Sequence, residues 1–354
     1  MNFNLGPIRY LCGVFIIILL ACKPSMDAPI IDPEKPINPI AKDTNFFKGA
    51  DISWVTEMES KGIKFYNKNG VQTECFALMK EIGMNSIRIR VWVNPTNKWN
   101  GIEDVIAKCI RAKNLGLKLL IDFHYSDNWA DPGKQTKPAA WSLASFPVLK
   151  DSLKNHTLFV LTQLKNAGIN PTWVQIGNEV DNGLLWPDGK ASLNMQNFAQ
   201  LIAAGYDASK SIFPNAKVMV HVSNGYNNSL FRWIYDGLKN NGVKWDMIGM
   251  SLYPSFSNSG WQNANDLCMQ NMNDMVDRYN TPVMIVEIGM PWDNANEASL
   301  FIQDLITKVK SVKGNNGLGV FYWEPESYNN WQGYSLGAFD NTGKPTIALD
   351  PFLK

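Results

Sequence analysis

This chain has few of the groups that redox and metal chemistry rely on. Its 354 residues hold three histidines and five cysteines, and only Cys75, Cys109 and Cys268 lie in the body of the sequence. An odd number of scattered thiols without a framework spacing excludes a disulfide-stapled scaffold. A single Cys75–Cys109 bridge stays open, although both residues sit in helix-like patterns; three small buried residues is the simpler reading. None of the three has the spacing of a metal ligand. An excess of either charge is also missing: 33 Lys+Arg face 32 Asp+Glu, for a net charge of +1. No basic patch or stripe emerges, so a nucleic-acid partner is not expected. Long apolar runs are absent too, and the stretch Tyr10–Leu20 is too short to span a bilayer.

That stretch follows Arg9 and ends Leu19-Leu20-Ala21-Cys22. A short positive region, a brief apolar segment and a small residue before the cut describe a secretory signal. Cysteine directly after Ala21 resembles the bacterial lipobox, in which the new N-terminal Cys22 carries lipid. Residues 23–44 follow, with prolines at 24, 29, 33, 36 and 39. Such a segment forms neither a helix nor a central strand, and at about 3.1 Å per residue it reaches up to roughly 70 Å. The expected organisation is a lipoprotein signal peptide over 1–21, a lipidated Cys22 with a Pro-rich linker over 22–44, and one domain over 45–354. The expected address is the bacterial cell envelope, lipid-anchored at the outer-membrane surface or in the periplasm.

Aromatic residues are plentiful, with 13 Trp, 11 Tyr and 17 Phe. Most belong to a core, but aromatic rings in loops also offer flat apolar faces to the C–H faces of sugars. From Phe46 onward, apolar runs alternate with amphipathic stretches. The runs predicted as strands are 47–53, 86–92, 117–123, 172–178, 217–223, 246–252, 282–288 and 318–323. Between them, apolar residues recur at helical spacing, as in Phe76, Met79 and Ile82 before Gly83, or Leu158, Leu161 and Leu164 before Gly168. Later helices are expected over 228–241, 264–280 and 296–313. Strands alternating with helices imply parallel pairing, and strands rich in Val, Ile, Leu and Met imply burial on both faces. Eight such units make a closed (β/α)8 TIM barrel of the α/β class. A doubly wound open sheet is the alternative, and no Gly-rich phosphate turn after the first strand supports it.

In a (β/α)8 barrel the chemistry sits at the C-terminal ends of the strands. The residues expected on that rim are, in strand order, Asp51, Arg88 and Arg90, Asp122 and His124, Asn178 and Glu179, His221, Tyr253, Glu287, and Trp323 with Glu324. Two of these are glutamates closing apolar runs at strands 4 and 7. Glycosidic cleavage needs an acid that protonates the departing oxygen and a carboxylate that captures or stabilises the positive anomeric carbon. Glu179 and Glu287 are the candidates. Arg90 is expected to hold Glu287 ionised, with the Tyr253 hydroxyl as second donor, and Asn178 to hydrogen-bond a sugar 2-hydroxyl. Asp122 reads as a buried structural carboxylate and His156 as an inert helix residue.

Several segments together resemble a known family. Gly-Ala-Asp-Ile-Ser at 49–53, Ile-Arg-Ile-Arg-Val-Trp at 87–92 and Asp-Phe-His-Tyr-Ser-Asp at 122–127 followed by Trp129 are similar to glycoside hydrolase family 53. So are Trp-Val-Gln-Ile-Gly-Asn-Glu at 173–179, Gly-Leu-Leu-Trp-Pro at 183–187, Val286-Glu287 and Phe-Tyr-Trp-Glu-Pro at 321–325. The resemblance covers residues 46 to 350. It implies retaining endo-hydrolysis of β-1,4-linked galactose chains of pectin, with Glu179 as acid/base and Glu287 as nucleophile. It implies that Trp323 floors the subsite of the reacting sugar and that Trp92, Trp129, Trp186 and Trp331 serve neighbouring subsites. Asp51, Arg90, His124, Asp127, Asn178, His221 and Tyr253 complete the expected substrate-binding set. The expected partners are the galactan polysaccharide and, through lipid, a bacterial membrane.

Two segments depart from the family's pattern. After Trp-Glu-Pro the chain reads Glu326-Ser-Tyr-Asn-Asn-Trp331, where many members have a small residue and another Trp. The segment 290–297 after strand 7 is short, whereas some bacterial relatives bind calcium in a longer loop there. Asp293, Asn294, Asn296 and Glu297 could ligate an ion, but their spacing fits no defined loop and suits a helix cap, so no metal or cofactor is expected. The distal subsites are what these departures put in question. Three rivals compete with this reading. One is a clan-related hydrolase of another β-1,4-glycan, one a glycan-binding protein on a retired barrel, and one a barrel isomerase or aldolase for phosphorylated metabolites. The last lacks a Gly-rich phosphate site after strands 7 and 8.

Overall fold

A computed structural model describes residues 46–354; the signal peptide, Cys22 and the whole Pro-rich linker expected from the sequence lie outside the described residues. Eight strands run in chain order: β1 Phe47–Asp51, β2 Ser86–Val91, β3 Lys118–Phe123, β4 Trp173–Ile176, β5 Lys217–Val222, β6 Met247–Leu252, β7 Val283–Ile288 and β8 Gly317–Trp323. Each pairs in parallel with the next, and β1 pairs with β8 to close the barrel. The helices are α1 Val55–Ser60, α2 Cys75–Glu81, α3 Ile102–Asn114, α4 Phe146–Asn166, α5 Met195–Ile212, α6 Asn228–Asn240, α7 Gly260–Tyr279 and α8 Ala295–Lys310. The fold is the expected (β/α)8 TIM barrel.

Burial on both faces explains why the strands read as continuous apolar runs. The outward side chains of β2, such as Ile87, Ile89 and Val91, join the layer shared with the helices. Inside, a separate cluster of Leu120, Trp173, Met219, Met247, Met284, Val286 and Phe321 fills one end of the barrel. Phe47 meets Trp173 edge-on there, with ring centroids 4.5 Å apart. Toward the strand C-termini the interior turns polar. Asp51, Arg88, Arg90, Asp122, Gln175 and His221 are all fully buried.

Four of the predicted strands, β1, β2, β4 and β5, overshoot at their C-terminal ends, because the residues there leave the sheet to build the rim, and the other four end where expected. The clearest case is β4, expected to run to Asn178 but ending at Ile176. Gly177 takes φ +82°, and a Cβ there would lie 2.5 Å from Val180 Cγ1. Only glycine tolerates both demands, and the turn it makes swings Asn178 and Glu179 off the strand. The three body cysteines are free and buried, so the Cys75–Cys109 bridge does not form. His156 is half-buried. It packs edge-on against Phe123, Tyr125 and Trp141, and burial pushes its pKa down to about 4, so it stays neutral.

Candidate active site

A cleft of about 640 Å³ opens at the strand C-termini. Of the residues singled out in the sequence, His124, Trp129, Asn178, Glu179, Tyr253, Glu287 and Trp323 line it. Asp51, Arg90, Trp92, Asp127, Trp186, His221 and Trp331 do not. Residues the sequence reading passed over also form its wall, among them Asn224 and Tyr226 after β5, Phe256 after β6 and Tyr334 beyond β8.

The two glutamates occupy different surroundings. Glu287 lies within β7, where Arg88 Nη1 approaches its Oε1 at 2.8 Å and the Tyr253 hydroxyl donates to its Oε2 at 3.0 Å. Burial, together with the charges of Asp122 and Asp51, pushes its pKa up to about 7, against the opposing pull of Arg88 and the tyrosine. Among the described residues, Glu179 has no cation at hydrogen-bond distance, and its one side-chain donor is the Ser251 hydroxyl, 2.6 Å from Oε1. Burial, and then the negative charge of Glu287, push Glu179 well above the usual carboxylate range. A carboxyl without a cation keeps its proton, and one clamped by a guanidinium ionises first.

Glu179 is further fixed through its backbone. It has φ +44°, a conformation that costs a non-glycine residue about 1–3 kcal/mol and needs support. Its N–H donates to His221 Nδ1 at 3.3 Å, and Gln175 Nε2 donates to the same atom at 3.1 Å. With Nδ1 accepting, the ring proton resides on Nε2, 2.8 Å from Ser251 Oγ. Burial, with help from Arg88, drives the His221 pKa well below its usual value, so the ring is neutral. A chain therefore runs from His221 Nε2–H to the Ser251 hydroxyl to the Glu179 carboxyl. His221 supports the cleft from behind instead of lining it.

The cation assigned from sequence is corrected here. Arg88, not Arg90, holds Glu287. Both project into the barrel from β2, but Glu287 is set inside its strand, so the guanidinium that reaches it comes from one layer lower. Arg88 also engages Asp51 Oδ2 and Asp122 Oδ2, each at 2.9 Å, with Gln175 Oε1 at 3.2 Å and Asn178 Oδ1 at 2.8 Å. Asp51 thus serves the network beneath the cleft. Asp122, read as structural, binds Arg88, Gln175 Nε2 at 2.6 Å and His124 Nε2 at 3.0 Å. Asn178 keeps a face on the cleft, although its Oδ1 is taken by Arg88 and its Nδ2 donates to the Ala130 carbonyl at 2.8 Å.

Arg90 points instead toward β1 and β8. It forms an ion pair with Glu324 and lies 4.3 Å from the Trp129 ring, 5.3 Å from Trp54, 5.5 Å from Trp92 and 6.0 Å from Trp323. Trp129 and Trp323 form one wall of the cleft over this cation. Trp92 is buried behind Trp129, with centroids 5.2 Å apart, and its place is structural support. Tyr334 braces Trp323 edge-on at 4.7 Å. It reaches the site because Gly289 lacks a Cβ, which would lie 2.8 Å from the Tyr334 hydroxyl and 3.0 Å from Tyr253 Cε1.

The remaining expected contacts fall elsewhere. Asp127 clasps loops, accepting from Asn94 N at 3.0 Å and Ala139 N at 2.8 Å. Trp186 donates to the Asn182 carbonyl at 2.9 Å and lies under Lys190 Nζ at 4.6 Å. Trp331 packs half-buried on the core. In the segment considered for calcium, Glu297 accepts from Trp261 Nε1 at 2.7 Å, and Asn294 takes the N-cap position of α8 without a side-chain bond. Among the described residues, no group of three or more His, Cys, Asp or Glu is arranged to hold a metal.

A (β/α)8 barrel with a carboxyl pair above β4 and β7 and aromatic walls to its cleft has the architecture of a glycoside hydrolase. The chain belongs to glycosyl hydrolase family 53, whose sequence profile matches residues 47–352. It is 35% identical over 305 residues to the arabinogalactan endo-β-1,4-galactanase of Thermothelomyces thermophilus, covering 80% of this chain and 90% of that one. A solved fungal β-1,4-galactanase is 34% identical, with a TM-score of 0.81 over 86% of this chain and 98% of that one. The family 53 catalytic domain of Ignisphaera aggregans is 30% identical, with a TM-score of 0.80 over 90% and 98%.

Proposed function

We propose that this glycoside hydrolase is a retaining endo-β-1,4-galactanase acting on galactan and arabinogalactan chains, with Glu287 as nucleophile and Glu179 as acid/base. The observation that carries the assignment of roles is the asymmetry between the carboxyls: Arg88 and Tyr253 on Glu287, and a lone hydroxyl on Glu179. The galactan substrate rests on the relatives, whose names give that activity. In the first step the Glu287 carboxylate attacks the anomeric carbon. The bond to the leaving oxygen breaks, and that oxygen takes the proton of Glu179. In the second, Glu179 removes a proton from water as the water attacks the same carbon, and the bond to Glu287 breaks. Two displacements return the β-anomer. Trp323 and Trp129 supply the apolar wall against which the reacting sugar lies.

Incubation of the protein with β-1,4-galactan, cellulose, mannan and β-1,3-galactan tests the substrate. An early ladder of galacto-oligosaccharides from β-1,4-galactan alone is the expected result, and cleavage of another glycan in its place would overturn it. Proton NMR of the first product reads the anomer. Glu287→Ala should lose nearly all turnover, and azide should not restore a β-configured product. Glu179→Ala should still act slowly on substrates whose leaving group needs no proton. Full activity of both variants on polymer would refute the assignment. We further propose, from the sequence around Cys22, that the protein is a lipoprotein of the bacterial envelope; membrane association unchanged by Cys22→Ser would refute that.

A further inference from the structure

Behind the tryptophan wall lies a carboxyl that the mechanism does not use. Glu326 is fully buried, and neither of its oxygens meets an N–H or O–H donor of another residue among the described residues. The polar group it reaches is the carboxylate of Glu324, itself an acceptor. Two acceptors bond only through a proton lying between them. Glu324 is the better placed of the two to be ionised. Its Oε1 pairs with Arg90 Nη1, and its Oε2 accepts the Trp54 N–H at 3.1 Å. Arg90 has nothing further to give: its Nε and Nη2 meet indole faces and no acceptor.

Among the described residues, the other charged and titratable groups facing the pair leave no second cation for it. They are Asp51 from β1, Cys75 from α2, Lys108 from α3 and Tyr334 beyond β8. Lys108 is committed to Asp104 at 2.8 Å, to Asn100 Oδ1 at 2.8 Å and to the Ser53 carbonyl at 2.8 Å. A second negative charge at Glu326 would be buried and unpaired, which is strongly unfavourable.

We propose that Glu324 and Glu326 form a proton-sharing carboxyl pair, with the proton on Glu326, and that the pair positions Arg90 beneath the Trp54, Trp92, Trp129 and Trp323 cluster that walls the cleft. Burial and the charge of Glu324 also push Glu326 well above the usual carboxylate range, consistent with this arrangement. Glu324 sits at φ +48°, off the end of β8, so its orientation needs an external hold. The proton from Glu326 supplies part of that hold, Arg90 and the Trp54 N–H the rest. Glu326 is a positioning residue: it acts on substrate only through Glu324, Arg90 and the indoles. The kinetic part of this inference rests on the function proposed above; the thermal part does not.

Glu326→Gln and Glu326→Leu in the full chain test it. The Gln amide donates to Glu324 as the shared proton does, and it cannot ionise. The unfolded chain releases the Glu326 proton near pH 4.3, whereas the folded protein keeps it to higher pH. Wild-type stability from this group is therefore fully present below that pH and is lost as pH rises toward the folded pKa. The Tm difference between Glu326→Gln and wild type should move in favour of the variant as pH rises from about 4 to about 8. A difference that stays flat, or moves in favour of wild type, would show an ionised Glu326 and overturn the pair.

The kinetic arm uses galactan, or whichever glycan the panel shows to be cleaved, so failure of the substrate assignment leaves it readable. Wild-type KM should rise at alkaline pH, when both carboxyls ionise against one guanidinium, and Glu326→Gln should keep wild-type KM near neutrality and lose that rise. Glu326→Leu offers no donor, and its KM should rise about fivefold, the worth of one hydrogen bond, with kcat changing less. Gln and Leu variants with the same KM and the same pH profile would overturn the positioning role.

Discussion

Two arginines two residues apart on one face of β2 are put to opposite uses. Arg88 is shared among Asp51, Asp122 and Glu287 and fills its remaining donors with Gln175 and Asn178. Arg90 has one hydrogen-bonded carboxylate, Glu324, a second, Asp51, whose Oδ1 stands 4.0 Å from its Nη1, and four indoles. Around Arg88 there are more negative groups than charge to balance them, so neighbouring carboxyls compete and titrate apart. Around Arg90 the field is balanced by aromatic faces and a proton. The first arrangement tunes ionisation, which the chemistry requires. The second builds a rigid apolar wall, which substrate binding requires. The same residue type on the same strand thus serves charge in one layer and shape in the next.

The largest effect should come from breaking the Arg88 side. Arg88→Met leaves three buried carboxyls without their cation, and removing one partner of a buried ion cluster costs about 3–5 kcal/mol. Denaturant unfolding should show a loss of that size. Activity should fall in kcat by about 10²–10³-fold, the scale of losing a positioned electrostatic group, because Glu287 no longer ionises readily. Arg90→Met should be milder. Glu324 can take up a proton in an apolar setting, and the lost cation–π contacts are worth about 2 kcal/mol. Its effect should fall mainly on KM, because the indole wall loosens while the carboxyl pair stays intact. Equal kcat losses in the two variants would erase the distinction between them.

The fold was legible to within a few residues because buried parallel strands and their helices have unmistakable spacing. Overshoots such as 172–178 for β4 occurred where a strand hands its last residues to the rim. The place of Glu179 and Glu287 on the cleft was legible because each lies at or near the end of an apolar run. The choice between Arg88 and Arg90 was not, since both share one face of β2 and only barrel tilt decides which reaches Glu287. Ser251 had a faint signal, lying two residues before Tyr253 on the inward face of β6. Tyr334 had none, as it returns to the site from beyond β8 and depends on the missing Cβ of Gly289. Glu326 was visible as a departure from the family pattern, but its burial beside Glu324 belongs to the three-dimensional arrangement alone. Trp92, Trp186 and Trp331 show the limit of placing aromatic residues from sequence, for none of the three lines the cleft.

The smallest effects sharpen the comparison within the carboxyl pair itself. Glu287 must be ionised to act, so its titration sets the acid limb of kcat/KM; Glu179 must be protonated, so its titration sets the alkaline limb. Tyr253 donates to Glu287 and lowers its pKa, and Ser251 does the same for Glu179. Tyr253→Phe should therefore raise the acid limb toward higher pH and leave the alkaline limb nearly in place. Ser251→Ala should move the alkaline limb to higher pH and leave the acid limb nearly in place. A hydrogen bond worth about 1 kcal/mol corresponds to a displacement of roughly 0.7 pH units in each case. Narrowing of the profile in the first variant and widening in the second would follow only if Glu287 is the ionised partner. With the roles reversed, Tyr253→Phe would shift the alkaline limb and Ser251→Ala the acid one, so the pair of profiles reads the assignment without removing either carboxyl.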